Sequence, residues 1–181
     1  MTRRPRWIWR ALVGGLILGL PAGALLFVRV PVLTVVDVKA DRRIFALQVL
    51  AGESVVVSYR HSVTQGLVSG TFEVESDGAL SLRETTFGSP GPGLPDPRPG
   101  EQYEIAGGVI RQRSSGERLR ELSVFVHPFT DHTLVVKGKS LNISQEIRSA
   151  GLVKIRVERQ FWWQRGIQKW REKLGGARLR T

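Results

Sequence analysis

Val68-Ser69-Gly70-Thr71-Phe72-Glu73-Val74, a break at Glu75-Ser76-Asp77-Gly78, and then Ala79-Leu80-Ser81-Leu82-Arg83 decide the fold. Glu73 and Glu75 alternate with Phe72 and Val74, the period-2 pattern of a strand with one solvated face. Asp77-Gly78 supplies the turn between two such runs. The same rhythm spreads outward over Val32–Val38, Ile44–Leu50, Ser54–Tyr59, Val109–Arg113, Leu122–Val126, Thr133–Lys137, Leu141–Ser144 and Leu152–Val157. Ala51-Gly52-Glu53, Lys137-Gly138-Lys139 and Ala150-Gly151 punctuate these runs. This pattern predicts an all-β fold over residues 31–158, a single antiparallel sandwich or barrel-like domain. One short helix is expected around Ser144–Ser149, ending at Gly151. No βαβ rhythm, P-loop or dinucleotide glycine pattern is present, so no cofactor is expected. Residues 88–100 interrupt the spacing with five Pro and four Gly in 13 residues, a long exposed loop between strands.

The chain has 181 residues and a formal net charge of +11. That surplus points to nucleic acid until it is divided along the chain. Residues 1–30 hold five Arg and no acid; residues 157–181 hold seven Lys or Arg against Glu158 and Glu172. The middle is left with 15 basic against 14 acidic residues, and all five Trp lie in the two ends. Basic, Trp-rich ends around a neutral centre read as membrane contact. No nucleic acid is expected. The absence of Cys excludes disulfides, a thiol nucleophile, thiolate metal sites and a lipoprotein anchor.

Ala11–Val28 is an uncharged run of 18 residues, about 27 Å as a helix and close to one hydrocarbon core. Arg3, Arg4, Arg6 and Arg10 precede it, which keeps the N-terminus inside and exports the rest. Trp7 and Trp9 fall where an interfacial aromatic belt would lie. The reading is a retained single-pass anchor in the cytoplasmic (inner) membrane, with the β domain outside. A cleaved signal peptide, with Pro21 before Ala22-Gly23-Ala24, is the rival; the apolar run continues through Val28, past that site. Residues 159–181 form a tail in which Trp163, Ile167, Trp170 and Leu174 recur at helical spacing, with Arg165, Lys169, Arg171 and Lys173 on the other faces. This is the pattern of a basic amphipathic helix lying in the bilayer interface, with Trp163 and Trp170 as its contacts.

The chemistry-bearing residues are few. His61 and Ser62 are adjacent on a strand end, so their side chains point apart and make no catalytic triad. His127, Asp131 and His132 flank a turn and can approach each other, but match no recognised metal-ligand spacing; no metal is assigned. An extracytoplasmic hydrolase using His61 with Glu84, or a metal-binding protein using His127, Asp131 and His132, is the alternative to a non-enzymatic role. The discriminator is whether those side chains converge in one pocket.

Tyr59-Arg60-His61-Ser62-Val63, the strand with Phe72-Glu73-Val74, and Leu82-Arg83-Glu84-Thr85-Thr86-Phe87-Gly88 running on to Gly93-Leu94-Pro95 resemble the bacterial domain-of-unknown-function family 1850. The resemblance spans about residues 37–157. It implies a small exported accessory protein of TAXI-type tripartite (TRAP) uptake systems, with transporter subunits or a solute-binding protein as partners beside the lipid bilayer. It implies ligand- or partner-binding roles for Arg60, His61, Ser62, Glu84, Gly93 and Pro95, and no catalytic residue. The family tends to carry acids after His-Ser-Val; Thr64–Thr71 has none here.

Overall fold

The structure is a computed structural model and describes residues 27–88, 102–113 and 116–164. The chain divides into a unit Pro31–Glu158 and a second unit of Met1–Val30 with Arg159–Thr181. The N-terminal apolar segment with Trp7 and Trp9, the Pro/Gly loop with Gly93 and Pro95, and the tail from residue 165 with Trp170 lie outside the described residues. Among the described residues no helix is long and apolar enough to cross a membrane.

Twelve strands are described: β1 (Arg29–Asp37), β2 (Arg42–Gln48), β3 (Ser54–Arg60), β4 (Leu67–Val74), β5 (Leu80–Phe87), β6 (Tyr103–Ala106), β7 (Val109–Arg113), β8 (Arg118–Leu119), β9 (Glu121–Val126), β10 (Thr133–Val136), β11 (Lys139–Asn142) and β12 (Gly151–Phe161). They form a four-stranded sheet, β2-β1-β12-β9, and a larger one, β11-β10-β3-β4-β5-β7-β6, with β8 also on β5. Neighbours run antiparallel. The bonds Val38 N–H to Leu152 O and Thr34 Oγ1–H to Arg156 O set β1 antiparallel to β12 as well.

Both sheets contribute to one apolar cluster, which makes the arrangement an all-β sandwich. Leu33, Val35, Val126, Val153 and Ile155 come from the smaller sheet; Val55, Val57, Phe72, Val74, Leu80, Leu134 and Val136 come from the larger. Each fully buried aliphatic of this kind contributes about 1.5–3 kcal/mol, whereas the surface ion pairs around Glu121 and Glu158 contribute about 1 kcal/mol at most each. Burial therefore specifies the fold. The β4–β5 turn places Gly78 at φ +85, a conformation only glycine adopts without strain.

The structure departs from the sequence reading at several places. β5 runs on to Phe87, and β6 and β8 are additional. The short helix, α1 (Ile143–Glu146), is a single turn. It starts early because the Asn142 side chain accepts the Gln145 N–H at 3.1 Å and so caps it. Gly151 opens β12 instead of closing a helix, and that strand continues to Phe161.

Within the second unit, the Trp162 N–H donates to Val28 O at 3.2 Å. The Arg29 guanidinium sits 4.7 Å from the centre of the Phe161 ring.

Candidate functional site

The pairing of β3 with β10 ends at Ser58 opposite Thr133. One residue further, Tyr59 and His132 stack with ring centroids 5.1 Å apart and planes 11° from parallel. They form the floor of an open cleft of about 500 Å³ that also takes in Arg60, His61, Phe125, His127 and Phe129. All three histidines of the chain therefore meet at one site, although 66 positions separate His61 from His127.

Each histidine is held differently. His61 is buried, and its Nδ1 accepts the Val63 and Thr64 N–H groups, both at 3.3 Å. The backbone of the same loop closes through His61 N–H to Gly66 O and Gln65 N–H to His61 O, both 2.9 Å. The imidazole thus caps the β3–β4 turn much as an Asx side chain would. The Nδ1 lone pair of His61 thus serves the turn.

His132 Nδ1 lies 2.7 Å from the Thr130 hydroxyl, which donates to His127 O at 2.7 Å and accepts the His127 N–H at 3.2 Å. The hydroxyl hydrogen directed to His127 O leaves Nδ1 of His132 as the donor and places the lone pair on Nε2. Ser144 on α1 ties both ends of this turn: it accepts the His132 N–H at 2.9 Å and donates to His127 O at 3.1 Å. Burial pushes the His132 imidazole below its ordinary value and the Tyr59 phenol above its own, so both favour the neutral form. His127 packs against Phe129 with ring centroids 3.7 Å apart. Its Nδ1 is buried with no hydrogen-bond partner among the described residues.

At the rim, Arg60 Nε faces Asp131 Oδ2 at 3.4 Å, with both side chains more than half exposed. Phe125 and Phe129 are 67% and 65% exposed, which gives the mouth an apolar lip. Ser62 is exposed beside them. Tyr59 rests on a small separate core of Val68, Phe87 and Ile110.

Of the residues singled out in the sequence, Arg60, His61 and Ser62 line the cleft, and His127 and His132 join them. Glu84 does not. It pairs with Thr71, which pairs with Val56, on the sheet face opposite the row Val55, Val57 and Tyr59, and it binds Arg111 Nε at 3.3 Å. His61 and Glu84 thus do not form an acid–base pair. Asp131 engages Arg60, and among the described residues no group of three or more His, Asp or Glu is placed to hold a metal ion. The sequence reading missed the aromatic lip. The signal was there in Phe125, which breaks the polar alternation of β9 with a large outward ring.

Residues 55–143, from β3 to the start of α1, match the model of a family described as Domain of unknown function (DUF1850). This supports the DUF1850 family. The matched segment contains every residue of the cleft. No curated protein and no solved structure matches the chain.

Proposed function

We propose that this protein is a membrane-anchored, extracytoplasmic accessory module of a TRAP (TAXI-type) solute-uptake system. In this reading the histidine–aromatic cleft is its contact site for a transporter subunit, a solute-binding protein or a ligand. The observation that carries the binding role is the exposed Phe125–Phe129 lip at the mouth of a cleft whose Arg60, His61 and His132 side chains are each held in place by neighbouring groups of the chain. His61 is committed to its turn, His132 to Thr130, and Arg60 to Asp131. Such a site has the composition of a recognition surface, an apolar anchor beside a polar rim.

The apolar run 11–28 and the four preceding arginines support the anchored, exported placement, and the family resemblance supports the transporter context. The test is affinity purification of the full chain from detergent-solubilised membranes. Recovery of tripartite-transporter subunits or their solute-binding protein, reduced by Phe129→Ser, is the expected result. Recovery of neither by the unaltered protein sinks the reading.

A further inference from the structure

The pairing of β1 with β12 has a consequence at the chain ends. Val28 closes the apolar run of the N-terminal segment, and Trp162 opens the basic, Trp-rich tail. The Trp162 N–H to Val28 O bond joins them at 3.2 Å. Around that bond, the Arg29 guanidinium lies over the Phe161 ring at 4.7 Å, and Phe161 stacks on Trp163 with centroids 5.8 Å apart and planes 13° from parallel. The outward side is strongly apolar: Phe27 is 75% exposed, Trp162 49%, Val28 44% and Trp163 37%. A cluster of large rings rarely stays in water on a soluble surface unless it meets a partner.

We propose that Phe27, Trp162 and Trp163, organised by the Arg29–Phe161 cation–π pair, form one foot that seats at the headgroup level of an anionic bilayer. The occupant follows from chemistry. Indole and phenyl rings favour the water–hydrocarbon boundary, where an apolar body meets a polar rim. Cations beside them are drawn to anionic lipid, and residues 1–30 and 157–181 each carry a net +5 in the sequence. A protein partner would be expected to meet a surface of mixed charge instead. Arg29 is suited to its place because a guanidinium stacks on a ring while its edge remains available to phosphate. The foot rests on the membrane reading of residues 11–28 for its orientation. It adds that the two chain ends act as one contact rather than as an anchor and an independent tail.

The test uses the full chain with Trp7, Trp9 and Trp170 each changed to Phe, leaving Trp162 and Trp163 as the emitters. The protein is reconstituted into phosphatidylcholine vesicles with and without phosphatidylglycerol. The lipids carry bromine either high on the acyl chain or near the bilayer centre. Expected are blue-shifted emission and stronger quenching by the shallow bromines than by the deep ones, both weakened by removing phosphatidylglycerol. Arg29→Gln is expected to lower the ratio of seated to unseated foot about fivefold, the effect of one surface cation, with Arg29→Lys restoring most of it. An alkaline carbonate wash separates this proposal from the anchor reading. Unquenched emission from protein that resists the wash overturns the foot and leaves the anchor. Shallow quenching of protein that the wash removes supports the foot and overturns the anchor. Quenching strongest from the bilayer centre overturns the headgroup placement.

Discussion

Tyr59 and His132 stack face to face one residue beyond the last ladder pair of β3 and β10, Ser58 with Thr133. The stack is a product of register: a one-residue slip of β10 along β3 would separate the rings and turn one of them to the other face. It also couples two ionisable groups to burial. His132 is 5% exposed, and desolvation holds its imidazole below 6.5 while raising the phenol of Tyr59 above 10.0.

Stability should therefore fall as pH drops through about 6.5, the ordinary value of the imidazole. In that window the unfolded chain takes up a proton at His132 and the folded chain does not, so protonation favours unfolding. Carboxylates act lower. The Lys154 hydrogen bond, outweighing partial desolvation, holds Glu121 below 4.5, so its contribution fades only under that value. Urea midpoints between about pH 7.5 and pH 5 should slope downward, and His132→Asn should flatten the slope. An unchanged slope in that variant would assign the dependence to another group.

His61→Ala should destabilise by about 1–3 kcal/mol, because it leaves the Val63 and Thr64 N–H groups without their acceptor. His61→Asn should recover part of the loss, since the amide oxygen can occupy the position of Nδ1. Chemical denaturation measures the loss, and hydrogen exchange at the amides of Val63 and Thr64 locates it. Equal destabilisation by Ala and Asn would mean that ring packing outweighs the capping bonds.

Period-2 alternation and turn residues made most of the sandwich legible. Asp77-Gly78 and Lys137-Gly138 turn where the sequence places them, with Lys137 and Gly138 at φ 52 and 70. β6 escaped because all four of its residues are exposed, so no apolar face marks it. β8 is two residues long, too short to carry a period. The site was half legible. Arg60, His61 and Ser62 stand out as a motif, but nothing local announces that His132 will land beside Tyr59. That neighbour relation exists only once β10 adds to the free edge of β3, a pairing across more than 70 positions. The separation of Glu84 from His61 is likewise a matter of sheet face, and the bulge between Thr71 and Phe72 makes counting from sequence unreliable there.

Ser144→Ala should cost about 1–3 kcal/mol, as expected when buried groups lose their partners. Ser144 is 3% exposed, and its hydroxyl is the one atom that bonds both the His132 N–H and His127 O. The loss should also loosen the His127–His132 turn, seen as faster exchange at the His132 amide and as altered imidazole chemical shifts. A variant as stable as the parent would show that water replaces the hydroxyl, and the turn would then owe its shape to Thr130.

Phe125→Ser and Phe129→Ser should separate the rim of the cleft from its foundation. Both rings are about two-thirds exposed, so each substitution should change stability by no more than about 1 kcal/mol. Phe87→Ala, by contrast, empties the small core beneath Tyr59, where Phe87 is 1% exposed, and should cost about 3–5 kcal/mol. Partner capture should show the opposite order per unit of stability. Removing an aromatic anchor from a recognition surface weakens binding by about tenfold or more, the equivalent of about 1.4 kcal/mol. Tyr103→Ser is the matched control: it removes a half-exposed ring on β6, outside the cleft, and should leave capture unchanged. Phe125 is the more informative of the two lip residues. It stands opposite Leu152 on the outer face of the smaller sheet, and Leu152 is itself 38% exposed, so the apolar surface extends past the cleft mouth. If Phe129→Ser weakens capture and Phe125→Ser does not, the partner enters the cleft alone. If both do, it also lies across the sheet. If neither does while both proteins stay folded, the contact lies elsewhere.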